Sequence, residues 1–148
     1  MRVAIDSDVN GKELKKTLVE YFHAQGIALD DLGFLEDHPE FDYPDVAFNL
    51  AGKVRDKEYD RGILICGTGL GMAMCANKVK GIFAGACSDI YAAQRLVASN
   101  DAQVLALGAL VTGRESAKCI AEAFLTSSFQ GRGSLPKVNR MRELENNQ

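Results

Sequence analysis

Long apolar runs are missing from this chain. None approaches the ~20 residues a membrane-spanning helix needs, which excludes a spanning segment. Charge of either sign is nearly balanced: a net charge of −3 over 148 residues gives nucleic acid or an anionic membrane no global attraction. Histidine is scarce. His23 and His38 are alone, and no cluster of His, Cys and carboxylates has metal-ligand spacing, so no metal is expected. The four cysteines, Cys66, Cys75, Cys87 and Cys119, lack C-x-x-C spacing and sit in apolar contexts, where packing is the first expectation. Free thiols suit a reducing cytoplasm. The first residues, Met1 to Asp6, run straight into a strand pattern, unlike a signal peptide. Two nucleotide signatures are also missing. Gly67, Gly69 and Gly71 are followed by Met72, which breaks the dinucleotide fingerprint G-x-G-x-x-G, and no G-x-x-x-x-G-K-[ST] occurs. No cofactor is expected.

What is present fits one soluble domain over 1–148, since 47% hydrophobic and 25% charged residues are ordinary for a globular core. Strand and helix patterns alternate. Strands are expected at Arg2–Asp6, Ile27–Leu32, Gly62–Ile65, Ile82–Cys87 and Val104–Leu107. Helices are expected over Lys12–Gln25, from Pro44, after the glycines up to Lys78, after Ser88-Asp89, and after Thr112-Gly-Arg-Glu115, which reads as a capping box. Gly33 to Tyr43 reads as an irregular loop. The polar tail from Gly131 reads as an extended piece and a helix around Val138–Leu144. Short apolar strands separated by helices predict a parallel sheet covered on both faces, a Rossmann-like three-layer α/β/α sandwich.

The densest chemistry lies in Arg61 to Lys78. An apolar strand ends in Cys66, a glycine-rich turn follows, and a small-residue helix begins. Glycines let backbone N–H groups approach a ligand, and a helix start adds partial positive charge. A thiol beside such a nest is placed to act as a thiolate. Ligands of open parallel sheets bind at the strand C-termini, at the switch in strand order. Asp6–Asp8, Cys66–Gly71 and Cys87–Asp89 are all expected at that edge. The tail carries Arg132, Lys137, Arg140 and Arg142 without an acid from Gly131 to Arg142, and can supply cations across a subunit boundary.

Ser7-Asp8, Asp42-Tyr-Pro-Asp45, Asp60 to Met72, Ala76-Asn-Lys-Val79, Gly81-Ile82 and Asn100-Asp-Ala102 recur in this order along the chain. With them the chain resembles the ribose-5-phosphate isomerase B family, which includes the galactose-6-phosphate isomerase subunits. The resemblance spans nearly the full length. It implies a metal-independent aldose–ketose isomerase working through a cis-enediolate. It also implies a homodimer or tetramer with active sites at the subunit interface, the tail from about 131 to 148 packing on the partner. By position, Cys66 is then the base that moves a proton between C1 and C2. Thr68, Gly67, Gly69 and Gly71 form the loop that holds the enediolate oxygen. Asp8, Ser7 and Tyr43 line the sugar site, Ser99 stands at the ring-opening position, and Asn100 approaches from the partner.

Several family positions differ. The histidine usual after Asp8 is Val9, the ring-opening histidine is Ser99, the arginine after Ala109 is Leu110, and the tail's G-G-R-H run reads Gly131-Arg-Gly-Ser134, with Lys137 at a later arginine position. Proton transfer is kept while ring opening and phosphate binding are altered, and Arg132 and Lys137 stand as replacement phosphate ligands. A tetrose phosphorylated at its terminal hydroxyl cannot close a five-membered ring. Erythrulose 4-phosphate and erythrose 4-phosphate are therefore candidate substrates, beside ribose 5-phosphate and a relative such as allose 6-phosphate. A non-catalytic sugar-phosphate-binding subunit is the alternative of another class, and the retained Cys66 and Thr68 speak against it.

Overall fold

Burial explains the three central strands. Every residue of β1 (Val3–Ser7) and β5 (Val104–Gly108) is buried, as is all of β3 (Arg61–Cys66) after its first residue. The computed structural model describes residues 1–148. β2 (Leu29–Asp31) and β4 (Ala84–Ala86) are short edge strands, and the all-parallel sheet has the order β2-β1-β3-β5-β4. The chain leaves β1 toward β2 on one side and returns to β3 on the other, so the switch in strand order falls between β1 and β3.

Because side chains alternate along a strand, β3 serves two cores. Ile63 and Ile65 pack with Leu14, Leu18 and Phe22 of α1 (Lys12–His23), Val97 of α5 (Ile90–Ala98) and Ile120 and Phe124 of α6 (Arg114–Thr126). Leu64 and Cys66 pack with Val46, Leu50 and Val54 of α3 (Tyr43–Arg55) and Met72 and Ala76 of α4 (Leu70–Ala76). The expected three-layer sandwich is therefore present. Asp42 caps α3 by accepting from the Tyr43 N–H at 2.7 Å, with Pro44 in the first turn. Asp89 caps α5 by accepting from the Ala92 N–H at 2.7 Å.

Five details differ from expectation. Glu115 and Thr112 form no capping box: Gly113 precedes α6, Glu115 pairs with Lys118 at 2.7 Å, and the buried Thr112 hydroxyl has no partner. β4 starts later than the apolar run: the Ile82 N–H turns back to the Val79 carbonyl at 3.0 Å, and the Phe83 N–H goes to the Gln103 side chain at 2.9 Å. The stretch after Gly33 contains a helical turn, α2 (Phe34–Asp37), where Phe34 stacks on His38 and Phe41. The tail has no extended piece; a 3-10 turn over Arg132–Ser134 leads directly into α7 (Leu135–Asn146). Cys119 is exposed rather than packed, Cys75 is half-buried, and Cys87 is buried.

α7 docks on its own subunit at the N-terminal edge of the sheet. Val138 is buried, Arg142 pairs with Asp101 at 2.7 Å, and Glu145 accepts from the Gly81 N–H at 3.0 and 3.1 Å.

Candidate active site

The site is built where β1 and β3 end side by side. Ser7 lies opposite Ile65, and the next residue, Asp8, donates its backbone N–H to the Ile65 carbonyl at 3.0 Å. Asp8 is buried, and its carboxylate caps the turn that follows: Oδ1 accepts from the N–H groups of Asn10 at 2.9 Å and Gly11 at 3.1 Å. Ser7 is also buried at the strand end.

A buried ion cluster fixes this corner. Lys15 Nζ lies 2.7 Å from Asp31 Oδ1 and 3.4 Å from Asp6 Oδ1. Asp6 also accepts from the N–H groups of Ser7 at 2.8 Å and Phe34 at 3.1 Å. α1, β1, β2 and α2 thus meet on one charge network. Burial pulls the Lys15 ammonium down, but the hydrogen bond to Asp31 and the Asp6 charge outweigh it and leave its pKa raised. Burial pushes the Asp6 carboxyl up against its hydrogen bonds.

At the end of β3, Cys66 is 6% exposed and faces the α3–α4 side. The Gly69 N–H donates to its sulfur at 3.1 Å. Gly69 makes this possible by adopting φ +80°, a conformation that L side chains resist. Thr68 is exposed at the crest of the loop, where its hydroxyl accepts from the Leu70 N–H at 3.3 Å. Gly67 is half-buried and leads the loop. Gly71 gives passage to Tyr43: a Cβ there would lie 2.6 Å from the Tyr43 ring, so the phenol lies directly against the first turn of α4. Two clefts flank the loop. One is lined by Ser7, Asp8, Lys12 and Lys15, the other by Thr68, Cys87, Ser88 and Thr112, and Cys66 lines neither.

One subunit therefore brings together Cys66, Gly67, Thr68, Gly69, Gly71, Tyr43, Asp8 and Ser7. It does not bring the other four expected residues to them. Ser99 caps the end of α5, where Arg95 donates to its hydroxyl, and the exposed Asn100 follows before β5 begins. Cys66 pairs with Gly108 at the opposite end of β5. Four strand steps of about 3.3 Å put at least ~13 Å between these edges. Arg132 and Lys137 are exposed beyond α6, on the side where α7 docks. Arg140 and Arg142 are held by Glu143 and Asp101, whereas Arg132 and Lys137 have no ion-pair partner in the chain. Asn10, which sequence reasoning passed over, stands inside the site: its Nδ2 is 3.4 Å from Asp8 Oδ2. An Asn-Gly pair two and three residues after a capping Asp was the signal that could have found it.

A thiol with a backbone donor on its sulfur, further N–H groups in a glycine turn, and a carboxylate and a phenol nearby form a constellation for moving a proton beside a carbonyl. Comparison with known proteins points the same way. The family model described as Ribose/Galactose Isomerase matches residues 3–141. The D-erythrulose-4-phosphate isomerase of Pectobacterium atrosepticum is 45% identical over 141 residues, covering 95% of this chain and 93% of that protein. The ribose-5-P isomerase B of Listeria innocua is 43% identical over 145 residues, covering 98% and 97%. The ribose-5-phosphate isomerase B of Clostridium thermocellum superposes with a TM-score of 0.93 at 38% identity, covering 99% of both chains.

Proposed function

The chain belongs to the ribose/galactose isomerase family, and from that premise we propose that it interconverts an open-chain tetrose phosphate, erythrulose 4-phosphate and erythrose 4-phosphate, in the cytoplasm. It is an aldose–ketose isomerase of sugar phosphates. The observation that carries the reaction is the Gly69 N–H on the Cys66 sulfur at 3.1 Å. That bond holds the sulfur in place at the end of β3, facing the glycine turn. The Cys66 thiolate removes the proton from the carbon beside the carbonyl. The electron pair moves into an enediolate, whose oxygen rests on the N–H groups of the glycine turn. The thiol then returns the proton to the neighbouring carbon. Thr68 offers its hydroxyl to the developing negative charge, Asp8 accepts from a substrate hydroxyl, and Tyr43 closes one wall.

The choice of a tetrose rests on Ser99. A serine held by Arg95 is a poor acid/base for ring opening, and a 4-phosphorylated tetrose needs none. The Pectobacterium relative, named for erythrulose 4-phosphate, supports this choice. The Listeria relative keeps ribose 5-phosphate as the second reading. The assay is turnover of D-erythrulose 4-phosphate and D-ribose 5-phosphate by the wild type. We expect kcat/KM to favour the tetrose by at least about tenfold, a difference of about 1.4 kcal/mol in transition-state stabilisation. A preference for ribose 5-phosphate overturns the tetrose assignment and leaves the proton-transfer step standing.

The active unit is a homodimer or a tetramer built from such pairs. Ser99, Asn100, Arg132 and Lys137 lie too far from the Cys66 of their own chain, so a second copy supplies them. The two unpaired cations, Arg132 and Lys137, bind the phosphate there as charge-assisted donors. Co-refolding an equal mixture of Cys66→Ala with the Arg132→Ala/Lys137→Ala double variant tests this. Mixed dimers hold one intact site each, so about a quarter of wild-type activity returns at low substrate for a symmetric pair. No recovery overturns the shared site.

A further inference from the structure

Arg95 has no acid to pair with. It stands half-buried in the last turn of α5, and none of the ion pairs of the chain includes it. Its side chain runs one turn along the helix and donates from Nη2 to the Ser99 hydroxyl, while the Ser99 N–H donates to the Arg95 carbonyl at 2.9 Å. The cleft beside it is lined by the hydroxyls and amides of Tyr91, Gln94, Thr126, Ser127, Ser128 and Gln130, and by no carboxylate. At the edge of this cleft the Gln130 N–H donates to the Ala98 carbonyl at 3.1 Å. That bond ties the start of the tail to the end of α5, and Arg132 follows two residues later. One patch therefore carries two cations without an acid between them.

The bond from Arg95 sets the polarity of Ser99. A guanidinium only donates, so it occupies a lone pair of the serine oxygen. The hydroxyl itself donates to no group of the chain, and Ser99 is half-buried beside the exposed Asn100. A cation on its oxygen polarises the O–H and strengthens the bond it gives. Ser99 is thus set as a donor. Its match is an oxygen that carries negative charge and no proton, and on a sugar phosphate that oxygen belongs to the phosphate. The two sides of the shared site also differ in charge. The chain that supplies Cys66 brings the carboxylates of Asp6, Asp8 and Glu36 to its cleft, whereas the second copy brings Arg95 and Arg132.

We infer that Arg95 is a positioning residue for the phosphate: it holds the Ser99 hydroxyl as a charge-assisted donor, and the second copy of the chain sets this pair against the phosphorylated end of the sugar bound at Cys66. The inference rests on the isomerase function and the shared site proposed above.

The test uses the full-length protein. Arg95→Gln, Ser99→Ala and the double variant are assayed with D-erythrulose 4-phosphate, and inorganic phosphate is titrated as a competitive inhibitor. Each single variant is expected to raise KM and the phosphate Ki about tenfold while kcat stays within threefold. The double variant should match the worse single one within about twofold, because Arg95 acts through Ser99. A double loss equal to the product of the single losses overturns that coupling. KM and Ki within twofold of wild type in both single variants overturn the inference, and so does a raised KM with Ki unchanged. A lower Tm with KM and Ki unchanged leaves Arg95 as a helix-end cation alone, and also overturns it. Co-refolding Arg95→Gln with Cys66→Ala shows which chain Arg95 serves. About a quarter of wild-type activity at low substrate is expected when it acts across the subunit boundary. About a twentieth means that it acts on its own chain, and the inference falls. Equilibrium binding of 4-phospho-D-erythronate, an open-chain acid that cannot isomerise, judges the pair separately from turnover. A wild type that binds the acid but isomerises neither erythrulose 4-phosphate nor ribose 5-phosphate sinks the proposed reaction, while the Kd of the variants still decides on Arg95. A wild type that does neither removes both.

Discussion

Cys66 and Cys87 end neighbouring crossovers of the same sheet, at the same edge, and are almost equally buried at 6% and 8%. Their surroundings differ. The chain after Cys66 turns through glycines and brings the Gly69 N–H to the sulfur at 3.1 Å. The chain after Cys87 turns through Ser88 and Asp89 and leaves the thiol near a carboxylate. Burial, and then the Asp89 charge, push the Cys87 thiol up to about 11. Position at the C-terminal edge of a parallel sheet is therefore common to the thiol proposed as the base and to one outside the proposed reaction. The turn that follows decides between them, through whether it presents N–H groups or a negative charge.

The largest test of this contrast replaces each thiol in turn. Cys66→Ala should lower kcat for sugar-phosphate isomerisation by about 10³-fold or more, the upper range for losing a positioned acid/base. Cys87→Ala should keep kcat within about twofold, because nothing in the proposed reaction passes through it. Circular dichroism and Tm of Cys66→Ala establish that the fold survives. Equal losses in both variants would erase the distinction between the two strand ends.

A smaller effect sharpens the role of the glycine turn. Gly71→Ala leaves Cys66 and its donor in place but drives a methyl to 2.6 Å from the Tyr43 ring. The ring or the first turn of α4 must shift. A displacement of this kind beside the reacting carbons is expected to cost about tenfold in kcat/KM. Combining it with Tyr43→Ala relieves the collision. If the double variant is no better than the product of the two single losses, the close approach is not what Gly71 provides.

Much of this site was legible in the sequence because it is local. Strand, thiol, glycine turn and helix start run consecutively from Arg61, and the buried strands carry their own apolar signature. What was hidden depends on partners distant in sequence. Thr112 and Glu115 have capping-box chemistry, yet Glu115 is drawn to Lys118 and Thr112 is buried behind the β5 end. β4 is shortened because Ile82 turns back to Val79 and the Phe83 N–H is taken by the side chain of Gln103, twenty residues on. Cys119 was misread by composition: it falls between Ala117 and Ile120 on α6 but off their buried stripe, and the period of 3.6 residues overrides the usual burial of cysteine. Asn10 was hidden for another reason. The sequence reading weighed Val9 and Leu110, where the family's usual polar groups are absent, and passed over the residue next to Val9.

The smallest effect reads the two thiols through pH. The Cys87 pKa rises from 9.0 to about 11 on folding. Between those values the native thiol keeps its proton while the unfolded thiol ionises. The native state then binds more protons, so stability falls as pH rises from about 9 to about 11 and levels off beyond. Lys15 acts in the same direction but later. Its raised native pKa means its contribution is complete below the ordinary lysine value of 10.5 and is lost as pH climbs past the native one. Urea unfolding across pH 8 to 11.5 separates the two, because Cys87→Ala should flatten the earlier decline and leave the later one. A decline from pH 9 that persists unchanged in Cys87→Ala would mean that the β4 end does not hold its thiol neutral, and the contrast with Cys66 would then rest on the Gly69 donor alone.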